Sequence, residues 1–372
     1  MQDNSNTYSN AGVNLATGDQ ASDILYRASK KTWENRRGLC GEVTEEFQGF
    51  FSFRGSDFSG LPPVVIGGHN QDGIGTKIEI AERTMLHTTM AFDLLAMVCD
   101  DASVRGCEPV LVGSSLSFNK VDLGVVAQLA EGLVLAASEA CVAVTNGELA
   151  ELGSRVCGYG ETNYNWEGTV FWLGREDRLC QYSKIKKNLS IVAFRENGFR
   201  SNGLTLVRKI FQSNYGTEWH KTQFQGQTLG TGVLTPSQIY TRAITDITGG
   251  VSKQPACQAT CFVHITGGGI PGKLGRALHP SGLGARLENL FPAPPIMQKC
   301  KSDGNVSDME AYRAWNMGNG LLCITSEPQA VVAVASALSI DAQIAGEVTS
   351  WPSIDIRDPL SGQELIFTRS GS

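Results

Sequence analysis

The sequence predicts an α+β protein of two domains, and three observations support this prediction. The chain has 372 residues, which is more than one compact domain usually holds. Short apolar runs typical of buried strands alternate with segments whose apolar residues recur every three or four positions, as they do in helices. A basic segment over 177–188, with Arg178, Lys184, Lys186 and Lys187, interrupts this alternation. We therefore place a domain boundary within it.

The predicted organisation has four parts, namely an N-terminal arm over 1–60, an N-terminal domain over 61–183, a C-terminal domain over 184–352 and a tail over 353–372. The arm is polar and rich in Gly and Ser, so we expect it to be partly mobile. In the N-terminal domain the apolar patterns predict, in order, a strand at 64–66, a helix at 88–104, a strand at 110–112, a helix at 122–137 and strands at 141–144 and 169–173.

The C-terminal domain repeats this mixture of strands and helices. Runs rich in Val, Ile, Leu and Phe predict strands at 189–194, 262–265, 285–290, 321–324 and 342–348. Apolar residues at helical spacing predict helices at 201–211, 236–247, 269–278, 307–315 and 329–339. Neither half shows the regular strand–helix cadence of one doubly wound sheet, which is why we predict α+β domains.

The composition argues against a disordered chain and against a general nucleic-acid binder. The chain is 41% hydrophobic and 18% charged, with a formal net charge of −6. It can therefore bury substantial cores, and it lacks the positive charge of a general nucleic-acid binder. The first residues lack a secretory signal, and no apolar run approaches the roughly 20 residues of a membrane span. We expect a reduced, cytoplasmic protein with no membrane or nucleic-acid partner.

The densest chemical motif is DGIGTK at 72–77, directly after the first predicted strand. Gly73 and Gly75 let the backbone approach a ligand and present N–H groups to phosphate oxygens. Lys77 can place a positive charge on a phosphate, and Asp72 can hold a hard cation such as Mg²⁺. The alternative is a glycine-rich turn with a solvated lysine.

Acidic residues near this motif suggest a metal site. Asp100 and Asp101 end a predicted helix that also carries Asp93, and a helix C-terminus disfavours negative charge. A cation shared with Asp72 would relieve that repulsion, whereas simple solvent exposure is the alternative. Glu148, which follows a predicted strand, could complete the acidic cluster.

Two further motifs are suited to anions. Arg200 precedes the string SNG at 201–203, where a hydroxyl, a cation and free N–H groups meet at a predicted helix start. The alternative is an ordinary serine cap. His264 begins the string HITGGG at 264–269, again between a strand and a helix. His264 could donate a proton or hold a phosphate, although a lone histidine is more often a hydrogen-bonded core residue.

The run GGGIPGKL at 267–274 nearly spells the P-loop of nucleotide hydrolases. That motif needs Ser or Thr after its lysine to bind Mg²⁺, and here Leu274 follows Lys273. We therefore reject a P-loop at this position.

Taken in chain order, these strings resemble those of the aminoimidazole ribonucleotide synthetases, the phosphoribosylformylglycinamidine cyclo-ligases of purine biosynthesis, over about residues 7–350. The matching strings are 8–13 for SYKxAGV, 72–77 for DGVGTK, 91–97 for GIDLVAM, 100–101 for ND, 105–109 for QGAEP, then 201–203, 234–236, 264–269 and 315–318. One such string could arise by chance, but this many in order favour the family.

The chain departs from the family pattern at a few positions. Ser9 replaces a lysine, Asn319 replaces a common valine, and NGELAEL at 146–152 stands where GGETAEMPG is usual but keeps Glu148. Arg200 replaces a histidine. Because arginine stays protonated near neutral pH, we expect Arg200 to bind a phosphate and to take no part in proton transfer.

The resemblance implies a fold and a reaction. The N-terminal domains of two subunits would pair and build a central β-barrel, with an α/β sandwich-like C-terminal domain beside it. Nucleotide and substrate would lie between the domains. The enzyme would use ATP to phosphorylate the formyl oxygen of formylglycinamidine ribonucleotide and then close the imidazole ring.

The resemblance also implies roles for individual residues. Catalysis would involve Lys77 and His264. Mg²⁺ would be held by Asp72, Asp101 and Glu148. ATP would be bound by Asp72, Gly73, Gly75, Thr76, Lys77 and Asp93. Substrate or its phosphate would be bound by Arg200, Asn316 and one of two strings, either Ser201, Asn202 and Gly203 or Thr266, Gly267, Gly268 and Gly269.

Other functions stay open at this point. Thiamine-phosphate kinase, selenophosphate synthetase and a hydrogenase-maturation protein share the acidic glycine loop, but the strings at 8–13 and 316–318 favour the purine enzyme. The altered segment around Glu148 and the exchange at Arg200 also allow a non-catalytic nucleotide-binding homologue.

Overall fold

The structure is a computed structural model that describes residues 15–43, 45–47, 50–52 and 65–368. The opening string at 8–13 lies outside the described residues, as does residue 64 of the first predicted strand.

A four-stranded sheet organises the N-terminal domain. In chain order this part of the molecule contains α1 (Leu15–Thr32), β1 (Glu45–Phe47), β2 (Phe50–Ser52), β3 (Val65–Gly73), α2 (Ile78–Thr84), α3 (Met90–Ser103), β4 (Cys107–Phe118), α4 (Leu123–Ala140), β5 (Ala143–Glu151) and β6 (Tyr164–Arg175). The sheet order is β3-β6-β4-β5. Strands β4 and β5 are parallel and the other neighbours antiparallel, because α4 carries the chain back across the sheet between β4 and β5.

Helix α4 illustrates how the sequence sets an element. The side chain of Asp122 accepts hydrogen bonds from the backbone N–H groups of Gly124 and Val125 at 2.8 and 3.0 Å, which caps the helix. Its apolar residues pack against α1 and α3. In the described part of the chain, α4 is the one helix long and apolar enough to cross a membrane, and half of it is buried within the protein. A buried core helix can have the same length and apolar composition, so α4 is only weak evidence for a membrane span.

The described part of the predicted arm is folded. Helix α1 packs on α4 and β5 and buries Ala21, Leu25 and Ala28. Just beyond it, the indole N–H of Trp33 donates to the Val144 carbonyl at 3.0 Å, and the Val144 N–H donates to the Thr32 hydroxyl at 2.7 Å. The prediction of a partly mobile arm therefore does not hold for residues 15–43.

A seven-stranded sheet organises the C-terminal domain. In chain order the domain contains β7 (Ser190–Arg195), α5 (Leu204–Tyr215), β8 (Gln223–Phe224), β9 (Gln227–Thr228), α6 (Leu229–Val233), α7 (Thr241–Thr248), β10 (Ala259–His264), α8 (Gly269–Leu278), β11 (Gly284–Leu287), α9 (Pro295–Asp303), α10 (Asp308–Ala314), β12 (Asn319–Thr325), α11 (Pro328–Ala337), β13 (Ala342–Thr349), β14 (Ser353–Arg357) and β15 (Glu364–Thr368). The sheet order is β10-β12-β7-β13-β11-β14-β15. All neighbours are antiparallel except β11 and β14.

Two predictions for this domain need correction. The helix predicted from residue 236 begins only at Thr241. Before it, the Thr235 carbonyl accepts a hydrogen bond from Lys77 and the Tyr240 N–H donates one to Asp100, so this segment bonds to the N-terminal domain. The tail after residue 352 is part of the fold. It contributes β14 and β15 to the sheet and buries Ile354, Ile356, Leu365 and Phe367.

The molecule is thus a mixed α+β protein, as the sequence predicts, with one large sheet in each domain and two small two-stranded sheets, β1-β2 and β8-β9. The N-terminal sheet is open, with β3 and β5 at its edges. No closed barrel is formed by the described residues of one chain. Helix α3 lies between the two sheets, where it contacts β3, β4 and β6 on one side and α7 on the other.

Candidate active site

One face of α3 carries the acidic residues of the predicted site. Asp93, Met97, Asp100 and Asp101 recur at helical spacing, so they share the face that meets the C-terminal domain. Asp93 and Asp100 are fully buried, whereas the side chain of Asp101 is 44% exposed. The last of these acids is therefore the one that can reach a ligand.

Lys77 pairs with the first of these acids. Its ammonium group donates to an oxygen of Asp93 at 2.9 Å and to the carbonyl of Thr235 at 2.7 Å. The hydroxyl of Ser237 donates to the same carboxylate at 2.5 Å. Lys77 is 0% exposed, and its hydrogen bonds to Asp93 and Thr235 connect the two domains. This geometry does not support the predicted contact of Lys77 and Asp93 with ATP.

Arg200 occupies a second buried cluster at the domain boundary. Its guanidinium donates to Glu196 at 2.7 Å, to the Gln238 carbonyl at 2.8 Å and to Asp100 at 3.2 Å. Burial raises the pKa of Glu196 and of Asp100, and nearby positive charge, including that of Arg200, opposes this rise. Burial lowers the pKa of Arg200 itself, but Glu196 raises it, and the net pKa lies above its ordinary value. Arg200 therefore stays charged.

The prediction that Arg200 binds a phosphate is not supported by this environment. The side chain is 1% exposed, and its two terminal nitrogens already donate to protein acceptors. A phosphate bound to these terminal nitrogens would displace a buried carboxylate and leave it unpaired. Arg200 instead connects α3 to the C-terminal domain through its hydrogen bonds to Asp100 and Glu196.

His264 connects this cluster to the exposed acid. Its Nε2 lies 2.6 Å from an Arg200 nitrogen, and its Nδ1 lies 2.5 Å from Asp101. A guanidinium can only donate, so Nε2 accepts and the ring proton sits on Nδ1, which donates to Asp101. Both ring nitrogens are thus engaged within the protein. The predicted catalytic role of His264 in proton transfer is not supported, and the residue is placed to orient Asp101.

Asp101 is the outer end of this chain of hydrogen bonds. Burial raises the pKa of Asp101, but the hydrogen bond from His264 and nearby positive charges outweigh it, and the net pKa is lowered. Lys273 is one of these charges, and it also interacts electrostatically with Asp72. Both carboxylates thus raise the pKa of Lys273, and the sharing of one metal ion by Asp72 and Asp101 stays a prediction.

Glu148 does not join these two acids within one chain. It lies opposite Ser115 on β4, which lies opposite Glu167 on β6, which lies opposite Gly73 on β3. Glu148 is thus level with Gly73 but three strands away, about 14 Å across the sheet. Among the described residues, no group of three or more His, Cys, Asp or Glu side chains is gathered to hold a metal. The predicted cluster of three acids is therefore not formed in one chain.

The glycine loop after β3 is open to solvent. Gly75 has a φ of 69°, a left-handed conformation that favours glycine, and Gly75 and Thr76 are exposed. The Asp72 carboxylate accepts the N–H of Gly73 at 2.8 Å. A Cβ added to Gly75 would meet nothing within 4 Å, so a ligand has free approach to this backbone.

The two predicted phosphate strings lie side by side. A Cβ built on Gly267 would lie 3.4 Å from the side-chain oxygen of Asn202, so 201–203 and 266–269 line one surface. Gly267 and Gly268 are exposed, and Ser201, Asn202 and Gly203 are half-buried. Thr266 is buried. Residues far apart in sequence thus form one small, glycine-rich surface.

Asn316 lies beneath this surface and does not reach it. The residue is buried, its amide donates to the Gly198 carbonyl at 2.9 Å, and its oxygen accepts the N–H of Gly318 at 2.8 Å. The predicted contact of Asn316 with substrate is therefore not supported. Its hydrogen bonds hold the loop that leads to Arg200.

A cavity of about 530 Å³ opens beside Asp101 and His264. Its walls come from β3, from the end of α3, from β10 and from α8, and its charged lining residues are Asp101, Arg105, Lys273 and Arg276. This volume lies in the usual range for a small-molecule site. No sequence motif identified Arg105, Arg276 or Glu196, the carboxylate that pairs with Arg200, as a residue of this site. Helical spacing of Lys273 and Arg276 was the one available signal.

Both domains of the chain match models of the same protein family. The AIR synthase related protein N-terminal domain matches residues 69–168, and the C-terminal domain of the same family matches residues 186–358. The chain is 30% identical to a phosphoribosylformylglycinamidine cyclo-ligase of Sorangium cellulosum over 92% of this chain and 95% of that one. It is also 30% identical to the enzyme of that name from Acetivibrio thermocellus, over 98% of each chain.

Solved structures with the same fold are more distant in sequence. The hydrogenase maturation protein HypE of E. coli superposes with a TM-score of 0.60 at 10% identity, over 95% of this chain and 98% of that one. Thiamine-monophosphate kinase from Stenotrophomonas maltophilia gives 0.55 at 12% identity, over 79% and 85%. These likenesses concern the fold alone. The matches to both domain models, together with the identity to full-length relatives, show that this chain belongs to the AIR synthase related family.

Proposed function

We propose that this protein is an ATP-dependent cyclo-ligase that converts formylglycinamidine ribonucleotide into aminoimidazole ribonucleotide. The observation that carries the proposal is the 30% identity to phosphoribosylformylglycinamidine cyclo-ligases over nearly the full length of both chains. The open glycine loop at 73–76 and the exposed carboxylate of Asp101, beside a cavity of suitable size, support it.

In this reaction ATP transfers its γ-phosphoryl group to the formyl oxygen of the substrate, and ADP is released. The ribosyl-bearing nitrogen then attacks the same carbon, the C–O bond breaks, and inorganic phosphate and a proton leave as the imidazole ring forms. Catalysis of this kind depends mainly on positioning and on compensation of negative charge. The protein needs rigid donors and carboxylates more than it needs a general base.

Asp72 and Asp101 are the residues that would hold Mg²⁺. Magnesium is commonly held by one or two carboxylates together with phosphate oxygens and water, and the carboxylates of Asp72 and Asp101 both interact electrostatically with Lys273. When bound, the ion would neutralise phosphate charge. The chain's own part is to hold Asp101 in place through His264 and Arg200. The Gly73–Thr76 backbone would donate N–H groups to the ATP phosphates, and the surface formed by 201–203 and 266–269 would bind a second phosphate group.

We further propose a cytoplasmic homodimer. The sheet edges at β3 and β5 are not paired with another strand of the described chain, and open edges favour pairing with a second copy. All ten cysteines are free thiols, as expected in a reducing compartment. Sedimentation at micromolar concentration is expected to give a species near twice 39.9 kDa, and a monomer would contradict the dimer.

Turnover of defined variants tests the proposed function. Asp101→Asn keeps the size of the side chain and its place beside His264 but removes the exposed charge, so formation of the aminoimidazole product is expected to fall by at least about a hundredfold. Asp177→Asn is the matched control, because Asp177 is an exposed carboxylate at the surface. Equal turnover in Asp101→Asn and in the control would contradict the assigned role of Asp101.

A further inference from the structure

The cavity beside Asp101 has one strongly basic wall. Lys273 and Arg276 both line it, and they are three residues apart on α8, so they lie on the same face of that helix. Arg105, at the end of the loop after α3, lines the cavity from the N-terminal domain. Three cations from two domains thus line one open cavity.

Lys273 and Arg276 differ from Lys77 and Arg200 in having no close partner among the described residues. Lys77 and Arg200 both donate hydrogen bonds to carboxylates and to backbone carbonyls. Within the part of the chain that the structure describes, neither Lys273 nor Arg276 makes a hydrogen bond or a close ion pair. Their charged groups are therefore available to a ligand in the cavity.

The electrostatics of the wall also favour an anion. Lys273 is half-buried, and burial, followed by the like charges of Arg276 and Arg105, lowers the pKa of its ammonium group, while Asp101 and Asp72 raise it. Cations held close together in a partly desolvated cleft repel one another, and an anionic ligand relieves that repulsion.

We infer that Lys273 and Arg276 bind a phosphate group of the ligand that occupies the cavity, with Arg105 closing the site from the opposite domain. The inference rests on the proposed function, since it names the residues that hold one of the phosphate-bearing ligands of that reaction. The phosphate could belong to ATP or to the ribonucleotide, and both present the same chemistry to these cations.

This arrangement is different from a P-loop. Lys273 lies inside α8 and contacts the cavity from the flank of the helix, and Leu274, which follows it, is buried in the core. The backbone donors of the glycine run at 267–269 lie at the start of that helix. Lys273 and Arg276 therefore add side-chain charge at a place that backbone N–H groups do not cover.

Charge-neutral variants test the inference. Lys273→Gln and Arg276→Gln remove one charge each and retain polar side chains of similar length. Lys209→Gln on α5 and Arg242→Gln on α7 are matched controls, because both residues are exposed helical cations away from the cavity. Thermal unfolding confirms that each variant folds. KM for ATP and for the ribonucleotide is then measured, and calorimetric titration with ATP gives an affinity that does not depend on turnover.

A rise of about ten- to a hundredfold in one KM or Kd is expected, the usual effect of losing a charge-assisted hydrogen bond. Weakened ATP binding would show that Lys273 and Arg276 bind the triphosphate. Weakened ribonucleotide binding would show that they bind the substrate phosphate. Lys273→Arg should restore most of the affinity. Unchanged constants for both ligands, or an equal loss in the control variants, would overturn the inference. Absence of turnover in the wild type would instead contradict the proposed function, and the ATP titrations would still test the basic wall.

Discussion

Replacement of Arg200 by Ala is the perturbation for which the structure gives the clearest magnitude. The substitution removes a fully buried cation and leaves Glu196 and Asp100 buried beside the space it occupied. Breaking a buried ion pair by removing one partner costs about 3–5 kcal/mol, because the remaining charge has no compensation. We expect the free energy of unfolding to fall by about this amount, a large part of the 5–15 kcal/mol typical of a folded protein.

Urea denaturation at pH 7 measures this loss, and Arg242→Ala provides a control in which an exposed cation is removed at a cost below about 0.5 kcal/mol. The double variant Arg200→Leu with Glu196→Leu should recover part of the stability, since it removes both members of a buried pair. A loss below about 1 kcal/mol in Arg200→Ala, together with a large rise in the KM of a phosphate ligand, would refute the structural role. It would show that Arg200 faces a ligand after all.

Two further predictions concern other parts of the fold. Burial lowers the pKa of His87 from 6.5 to about 4, so the folded state disfavours the protonated ring. The stability that His87 contributes is complete above pH 6.5 and is lost as the pH falls toward 4. Between pH 7 and 4.5 the wild type should therefore lose about 2 kcal/mol more stability than His87→Gln, and equal losses would contradict this account. Phe367 on β15 is buried in the C-terminal core, so Phe367→Ala should lower the free energy of unfolding by about 3–5 kcal/mol. A change below about 1 kcal/mol would show that β15 does not pack as described.

Much of the secondary structure follows from local patterns. Helix α8 runs over the predicted residues 269–278, and α3 and α4 lie within a few residues of their predicted limits. These helices have apolar residues at helical spacing, and α4 also has the side-chain cap of Asp122; both are properties of residues close together in the sequence. The strands of the tail were missed because β14 and β15 alternate polar and apolar residues over only five positions each.

The pairing of buried charges could not be predicted in the same way. Arg200 contacts Asp100, which lies 100 residues away in the chain, and His264, which lies 64 residues away. A sequence motif shows which groups are present, but the packing of two domains decides which of them face each other. Lys77 and Arg200 were therefore predicted as ligand-binding cations. In the structure both are buried between the domains, where their hydrogen bonds go to protein groups. Lys273 was noticed only as part of a rejected motif.

The central claim is tested most directly by product analysis of one reaction. Purified protein is incubated with ATP, Mg²⁺ and formylglycinamidine ribonucleotide, and aminoimidazole ribonucleotide, ADP and inorganic phosphate are quantified together. We expect all three products to form in equal amounts and to require the ribonucleotide. A folded protein that binds ATP but yields no aminoimidazole ribonucleotide, or that releases ADP without ring closure, would contradict the proposed cyclo-ligase.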